Sequence, residues 1–339
     1  MPELNSIWLL DEFRAFERTL ALRTAIEMDL FTRIGAGANT IRALSAAAGA
    51  SERGLRVLCD YLTVQGHLSK RGSRYSLTLN ARLYLTTASP AYLGSAVKFF
   101  ASDATVAAFC RLRQTVEEGV GPSVLDWVEY ARSMAPLAES TAEFAATALT
   151  ANSTGPIQVL DLGAGHGLYG LAIAAQNPTA HIFALDAPEV LEIAVENARQ
   201  AGVAPRYHSI PSDAFQAAFG GPYDLVLAAN LAHHLDAAAN VRLFRKARAA
   251  LKPVGRLVLI EWIPNADRVS PSPDAAFALT VLATSARGAI YTLKEYSQML
   301  RAAGFHHVRR LNTGAFGRWI IIASQRPHAA QLRRKVRTR

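Results

Sequence analysis

The sequence contains few cysteines and no long apolar segment. Of its 339 residues only Cys59 and Cys110 are cysteine, and two thiols neither build a disulfide framework nor match the ligand spacing of a zinc site. No stretch approaches the roughly 18 apolar residues that a membrane-spanning helix needs, and no secretion signal opens the chain. These absences argue against a disulfide-rich secreted protein and against a membrane protein, and they predict a soluble, cytoplasmic one.

The positive charge is unevenly distributed. Lys and Arg outnumber Asp and Glu by 36 to 27, which gives a formal net charge of +9. Five basic residues lie between Gln331 and Arg339, so more than half of the excess is in the last nine residues. We predict that residues 327–339 form a basic, disordered tail, and not an arm that binds nucleic acid or a membrane.

Residues 1–90 have the pattern of a helical domain. Apolar residues recur at helical spacing over residues 7–34, which predicts one helix with a broad buried face, interrupted at most once. Shorter helices follow at residues 40–48 and 51–64, each starting at a hydroxyl N-cap and closed by a glycine. A short hairpin over residues 67–77 completes an order of elements that is typical of a winged helix.

A winged helix can bind DNA, but the candidate recognition helix has a mixed charge. It carries Arg53 and Arg56, and it also carries Glu52 and Asp60. It therefore lacks the density of Lys and Arg that neutralises phosphates. The apolar first helix is better explained as a surface buried against a second copy of the chain. We expect a dimerisation domain, with a ligand-sensing DNA-binding regulator as the non-enzyme alternative.

The rest of the chain changes from helices to alternating strands and helices. Residues 91–150 are predicted to be a helical linker, rich in aromatic residues, that contributes to a substrate pocket. Residues 151–326 contain short apolar runs without alternation, as expected of parallel strands covered on both faces. Strands are predicted at residues 157–160, 181–185, 206–210, 225–228 and 256–260, with an antiparallel pair at 308–311 and 319–324. Helices are predicted at residues 168–176, 188–200 and 237–251. This pattern predicts a doubly wound α/β domain.

A glycine-rich turn follows the first of these strands. Asp161 ends the strand, and Gly163 and Gly165 lie in the turn before the next helix. Glycines there let a ligand lie against the backbone, at the sheet edge where α/β proteins bind their ligands. Because Asp161 would repel a phosphate, the turn favours a ligand with an ammonium group and no phosphate.

Two more carboxylates follow the next two strands. Asp186 ends the second strand, at the distance along the chain where a carboxylate can accept both hydroxyls of a ribose. Asp213 follows the third strand and offers a carboxylate to an adenine amino group, with Phe215 beside it to lie against the base. Ribose, adenine and a cationic remainder without phosphate together describe S-adenosylmethionine.

With these features the chain resembles the class I S-adenosylmethionine-dependent methyltransferases. The resemblance is to the dimeric small-molecule O-methyltransferase family, which has an N-terminal winged-helix dimerisation domain. It also rests on LAHHLD at residues 231–236, LKPVGR at 251–256 and YTLKEY at 291–296. The resemblance implies a Rossmann-like methyltransferase sheet, a homodimer, and S-adenosylhomocysteine as the product left by the cofactor.

The resemblance also implies roles for single residues. By position in the family motif His233 is the general base, and Glu261 is the carboxylate that steadies it; His234 is the alternative base. An imidazole with a pKa of about 6.5 is mostly unprotonated at neutral pH, so it can take a proton from an attacking hydroxyl. Further candidates are Asn230 for the cofactor, and Tyr130, Met134, His234 and Trp262 for the acceptor.

The resulting hypothesis is an O-methyltransferase that acts on a hydroxyl of a small aromatic or polyketide-like metabolite. No cluster of carboxylates or histidines has metal-ligand spacing, so we expect transfer without a metal. The alternative keeps the cofactor but methylates nitrogen or carbon, for which His233 would be dispensable.

Overall fold

The computed structural model describes residues 7–151, 155–313 and 318–326. The tail predicted to be disordered, residues 327–339, lies outside the described residues. The chain divides into two compact units, Met1–Ser102 and Asp103–Arg339. The finer division of the sequence at residues 90 and 150 stays a prediction.

The first unit combines helices with a small antiparallel hairpin. Its helices are α1 (Ile7–Phe13), α2 (Ala15–Glu27), α3 (Leu30–Gly35), α4 (Ile41–Ala48), α5 (Glu52–Val64), α6 (Leu79–Tyr84) and α7 (Val97–Phe100), and its strands are β1 (Leu68–Arg71) and β2 (Arg74–Leu77). The predicted hydroxyl caps are confirmed, because Thr40 and Ser51 accept the N–H groups of Ala43 and Gly54. Tyr75 of the hairpin is buried in the core between these helices.

The N-terminal segment departs from the prediction. The prediction of one helix with at most one interruption over residues 7–34 is wrong, because the helix breaks after Phe13 and again at Asp29. Asp29 has φ 53°, a left-handed conformation that cannot continue a right-handed helix and that Asp tolerates better than most residues. Helix α1 buries none of its residues within the chain, and Trp8 and Phe13 are 61% and 65% exposed.

The second unit is built on a seven-stranded sheet. The strands are β3 (Gln158–Leu162), β4 (His181–Asp186), β5 (Tyr207–Pro211), β6 (Tyr223–Ala229), β7 (Leu251–Trp262), β8 (His307–Asn312) and β9 (Arg318–Ser324). Their order is β5-β4-β3-β6-β7-β9-β8, parallel except that β9 runs antiparallel to both of its neighbours. The order reverses between β3 and β6, which opens a crevice at the carboxyl ends of these two strands.

Helices cover both faces of this sheet. The helices of the second unit are α8 (Asp103–Cys110), α9 (Leu112–Glu118), α10 (Trp127–Thr150), α11 (Leu168–Gln176), α12 (Pro188–Gln200), α13 (Ala237–Ala250), α14 (Ser272–Thr284) and α15 (Leu293–Ala302). Consecutive residues of β6, Leu225 and Val226, belong to different apolar clusters, one with α10 to α12 and the other with α13 and α15. The predicted doubly wound α/β fold is therefore confirmed.

Within the described residues, no helix combines the length and the apolar character that crossing a lipid bilayer requires.

Candidate active site

A cavity of about 390 Å³ lies at the carboxyl edge of the sheet in the second unit. Its wall consists of the glycine turn after β3, the loops after β4, β5 and β6, the N-terminal half of α10, and the start of β9. The cavity thus occupies the crevice that the reversal of strand order creates, where α/β proteins bind their ligands.

The glycine turn exposes backbone to this cavity. Gly163 and Gly165 line it and have φ values of 61° and 57°, which favour glycine. A Cβ at Gly163 would lie 3.1 Å from the side chain of Leu231, and at Gly165 it would meet nothing closer than 3.9 Å. The space at Gly165 is therefore a cradle that a side chain would fill.

Asp161 is the one predicted cofactor residue that the structure leaves out of the cavity lining. It is 1% exposed, and its Oδ2 accepts the N–H of Gly170 in the first turn of α11 at 3.3 Å. Burial raises the pKa of this carboxyl to about 8, although the hydrogen bond from Gly170 opposes the rise. In this position Asp161 fixes the glycine turn to the helix that follows it.

The carboxylates after β4 and β5 do line the cavity. Asp186 accepts the N–H of Gly165 on Oδ2 and that of Ala187 on Oδ1, both at 2.8 Å, and burial raises its pKa. Asp213 accepts the N–H of Phe215 at 2.8 Å, and the ring of Phe215 is also part of the wall. Both side chains thus help to shape the loop that carries them and also face the cavity.

His233 and Glu261 form a buried pair. His233 Nδ1 lies 2.6 Å from Glu261 Oε2, and both side chains are 0% exposed. Glu261 Oε1 also accepts the N–H of Ala232 at 2.8 Å, which holds the carboxylate in place. A carboxylate at Nδ1 keeps the proton there and leaves a lone pair on Nε2. Among the described residues, Nε2 of His233 has no hydrogen-bond partner.

His234 lines the cavity, whereas His233 lies behind it. The two imidazole centroids are 4.1 Å apart, and His234 makes edge contacts with Trp127 and Tyr130 at 4.8 and 6.1 Å. Burial, with the neighbouring His233 as a second cause, lowers the pKa of His234 well below its usual range. His234 is therefore a neutral group of the cavity wall.

The remaining predicted residues divide into two groups. Tyr130 and Met134, one turn apart on α10, line the cavity, and so does Asn230, which donates to the hydroxyl of Tyr169 at 3.2 Å. Trp262 is absent from the lining; its ring packs at 4.9 Å from that of Phe277. Among the described residues, no three His, Cys, Asp or Glu side chains are grouped as metal ligands.

Several lining residues were not predicted as site residues from the sequence, and His166, Tyr169 and Arg318 are among them. His166 stands inside the glycine turn and Tyr169 directly after it, so their positions were a usable signal. Arg318 had none, because it begins β9, far along the chain from the turn that it faces across the cavity.

Family models match both units of the chain. The O-methyltransferase domain matches residues 126–306, and the O-methyltransferase dimerisation domain matches residues 10–87. A curated relative, 3-hydroxy-5-methyl-1-naphthoate 3-O-methyltransferase of Streptomyces sahachiroi, is 25% identical over 90% of this chain and 91% of its own length.

Solved structures give the same picture. A protein of Nostoc punctiforme, assigned as an O-methyltransferase, is 37% identical with a TM-score of 0.89, over 94% of this chain and 99% of its own. Human N-acetylserotonin methyltransferase in complex with S-adenosylmethionine has a TM-score of 0.84 at 21% identity, over 96% of this chain and 100% of its own. At that identity the human enzyme supports the fold alone.

Proposed function

The chain belongs to the O-methyltransferase family that carries an N-terminal dimerisation domain, and we propose that it methylates a hydroxyl group of a small aromatic or polyketide-like metabolite, with S-adenosylmethionine as the methyl donor. One observation carries the proposal. The glycine turn, Asp186 and Asp213 converge on one cavity, and the His233–Glu261 pair lies directly behind its wall.

The residues of the cavity fit the donor. The open cradle at Gly165 admits a ligand against the backbone, Asp186 is placed for ribose hydroxyls, and Asp213 with Phe215 is placed for adenine. Buried polar atoms of the wall, Asn230 Oδ1 among them, have no partner in the described part of the chain, as expected where a polar ligand completes the bonding. When bound, S-adenosylmethionine supplies a methyl group on a positively charged sulfur.

His233 is proposed as the general base. Its Nε2 takes the proton of the acceptor hydroxyl, which makes the oxygen a better nucleophile. Glu261 keeps the other nitrogen protonated and stabilises the imidazolium that forms. Of the two histidines, His233 alone has a carboxylate on its ring, and so we assign the base to it and the wall position to His234.

The acceptor is proposed to be flat and largely apolar. Trp127, Tyr130 and Met134 form an apolar wall beside His234, and such a wall favours an aromatic ring and excludes water. The relative from Streptomyces sahachiroi is named for a hydroxynaphthoate, which is a molecule of this shape. The buried base favours oxygen over the nitrogen or carbon acceptors of the alternative, which would not need it.

A homodimer is proposed through the first unit. Helix α1 leaves Trp8, Phe13 and their apolar neighbours uncovered within one chain, and the dimerisation domain matches most of this unit. We expect sedimentation of the purified protein to give a dimer, and Trp8→Glu with Phe13→Glu to shift it to monomer. A monomer for the unaltered protein would contradict this part of the proposal.

The test of the activity is direct. Calorimetry should detect binding of S-adenosylhomocysteine, and a panel of phenols with S-adenosylmethionine should give methylated products by mass spectrometry. The His233→Gln variant should bind the cofactor product normally and lose turnover. If the unaltered protein binds neither S-adenosylmethionine nor its demethylated product, the proposal fails.

A further inference from the structure

Arg318 is a buried cation that faces the cavity. It is 4% exposed, and within the described residues it is the only Lys or Arg of the cavity lining. No described carboxylate lies within ion-pair distance of it, and its Nε has no hydrogen-bond partner there. The guanidinium does share a hydrogen bond with the neutral hydroxyl of Tyr169. A buried charge without an opposite charge is costly, so we expect a ligand to supply one.

The position of Arg318 is fixed by its neighbours. It opens β9, paired in register with Trp262, and its guanidinium lies over the Trp262 ring at 4.7 Å from the centroid. Its charge reaches the glycine-turn side of the cavity, where it adds to the effect of burial that lowers the pKa of His166 to about 4. Asp274 also feels this charge, but one of its oxygens accepts the N–H of Ile263 and the two side chains form no ion pair.

The order of the strands suggests which anion belongs there. Along the sheet edge the features run from Asp213 after β5, through Asp186 after β4 and the glycine turn after β3, to Asn230 after β6 and Arg318 at β9. In the proposed function the first three hold adenine, ribose and the region of the sulfur. The amino-acid end of the donor then extends toward Asn230 and Arg318.

We propose that Arg318 binds the carboxylate of the donor's amino-acid end. The buried guanidinium without a carboxylate partner, at the far end of the cavity from Asp213, is the observation that carries this assignment. Arg is suited to it because its planar fork can hold both oxygens of a carboxylate. The assignment rests on the proposed function, since it takes S-adenosylmethionine as the donor.

The test compares two ligands on two proteins. The full-length protein and Arg318→Met are titrated by calorimetry with S-adenosylhomocysteine and with its decarboxylated analogue, which keeps the ammonium group. We expect Arg318→Met to lower the affinity for S-adenosylhomocysteine by about 10-fold or more, the range for a hydrogen bond to a charged group, and to leave the analogue within about 3-fold. Arg318→Lys should recover part of the loss.

Arg310→Met is the matched control. Arg310 also lies over a tryptophan, with its guanidinium 3.9 Å from the ring centroid of Trp319, but it does not line the cavity. This variant should bind both ligands as the unaltered protein does. Arg318→Met also loses the contact with Trp262, so its melting temperature without ligand is compared with that of Arg310→Met, which loses the equivalent contact with Trp319.

Three results would overturn the assignment. The first is an Arg318→Met variant whose affinity for S-adenosylhomocysteine is unchanged. If only its KM for a carboxylated acceptor rises, the anion bound by Arg318 belongs to the acceptor and not to the donor. The second is an equal loss of affinity for S-adenosylhomocysteine and for its decarboxylated analogue, because such a loss does not depend on the carboxylate. Failure of the unaltered protein to bind S-adenosylhomocysteine is the third, and if it binds no S-adenosylmethionine either, the proposed function fails as well.

Discussion

The two ends of the cavity are built differently. The donor end consists of turns that directly follow three adjacent parallel strands, and its residues are Gly163, Gly165, Asp186, Asp213 and Phe215. The base end gathers side chains from distant parts of the second unit, namely Trp127, Tyr130, His233, His234 and Glu261. The donor end depends on backbone conformation and short loops, whereas the base end depends on buried side-chain pairs.

This difference has an energetic side. The carboxylates of the donor end already accept backbone N–H groups of their own loops, as Asp186 does from Gly165 and Ala187. At the base end, the Nε2 atoms of His233 and His234 have no partner among the described residues. A change at the donor end should therefore weaken binding moderately, and a change of the His233–Glu261 pair should slow a specific chemical step.

His233→Ala should have the largest effect. Loss of the general base is expected to lower kcat by about 10²- to 10⁴-fold, with little change in the affinity for S-adenosylhomocysteine. Initial rates measured with saturating cofactor, together with calorimetry, check both parts. A variant that keeps most of its turnover would contradict the role of His233 and would favour a nitrogen or carbon acceptor.

Glu261→Gln should come next. The amide can still accept the N–H of Ala232, but it cannot stabilise a charged imidazole, so kcat should fall by about 10- to 100-fold. Thermal unfolding serves as the control, because the pair is fully buried and a collapsed fold would mimic the effect. Normal turnover in a folded variant would show that His233 acts without the carboxylate.

Asp186→Asn probes the donor end and should have a smaller effect. The affinity for S-adenosylhomocysteine should fall by about 10-fold, because a charged acceptor of ribose hydroxyls is replaced by a neutral one. At saturating cofactor, kcat should stay within a few-fold of its original value. A large loss of kcat with unchanged affinity would mean that the two ends of the cavity are not separable as described.

His234→Asn should have the smallest effect, a change of about 3-fold in kcat/KM. Because the pKa of His234 is lowered, its ring stays neutral as the pH falls through about 6 to 7, where a free imidazole gains a proton. The pH–rate profile of the variant should therefore match that of the unaltered protein. A pH–rate profile whose acid limb disappears would move the base from His233 to His234.

Much of the donor end could be predicted from the sequence because its residues follow strands that are evident from apolar runs. Gly163, Asp186 and Asp213 all line the cavity for this reason. Asp161 could not be separated from them, since its side chain turns out to face Gly170 of α11. The second break of the N-terminal helix was not predicted either, because it depends on the backbone conformation at Asp29.

The base end was predictable only through family resemblance, and only in part. The pairing of His233 with Glu261 joins the end of β7 to the loop after β6, a contact that no local pattern contains. Trp262 follows Glu261 directly, yet adjacent strand residues point to opposite faces, and it packs against Phe277 outside the lining. Arg318 enters the cavity by way of β9, whose antiparallel register the sequence cannot specify.

The complete burial of His233 bears on the fate of the proton. An imidazolium that forms on a side chain with no exposed surface is out of reach of a dissolved buffer. With His233 as the proposed base, higher buffer concentration should therefore not speed the reaction.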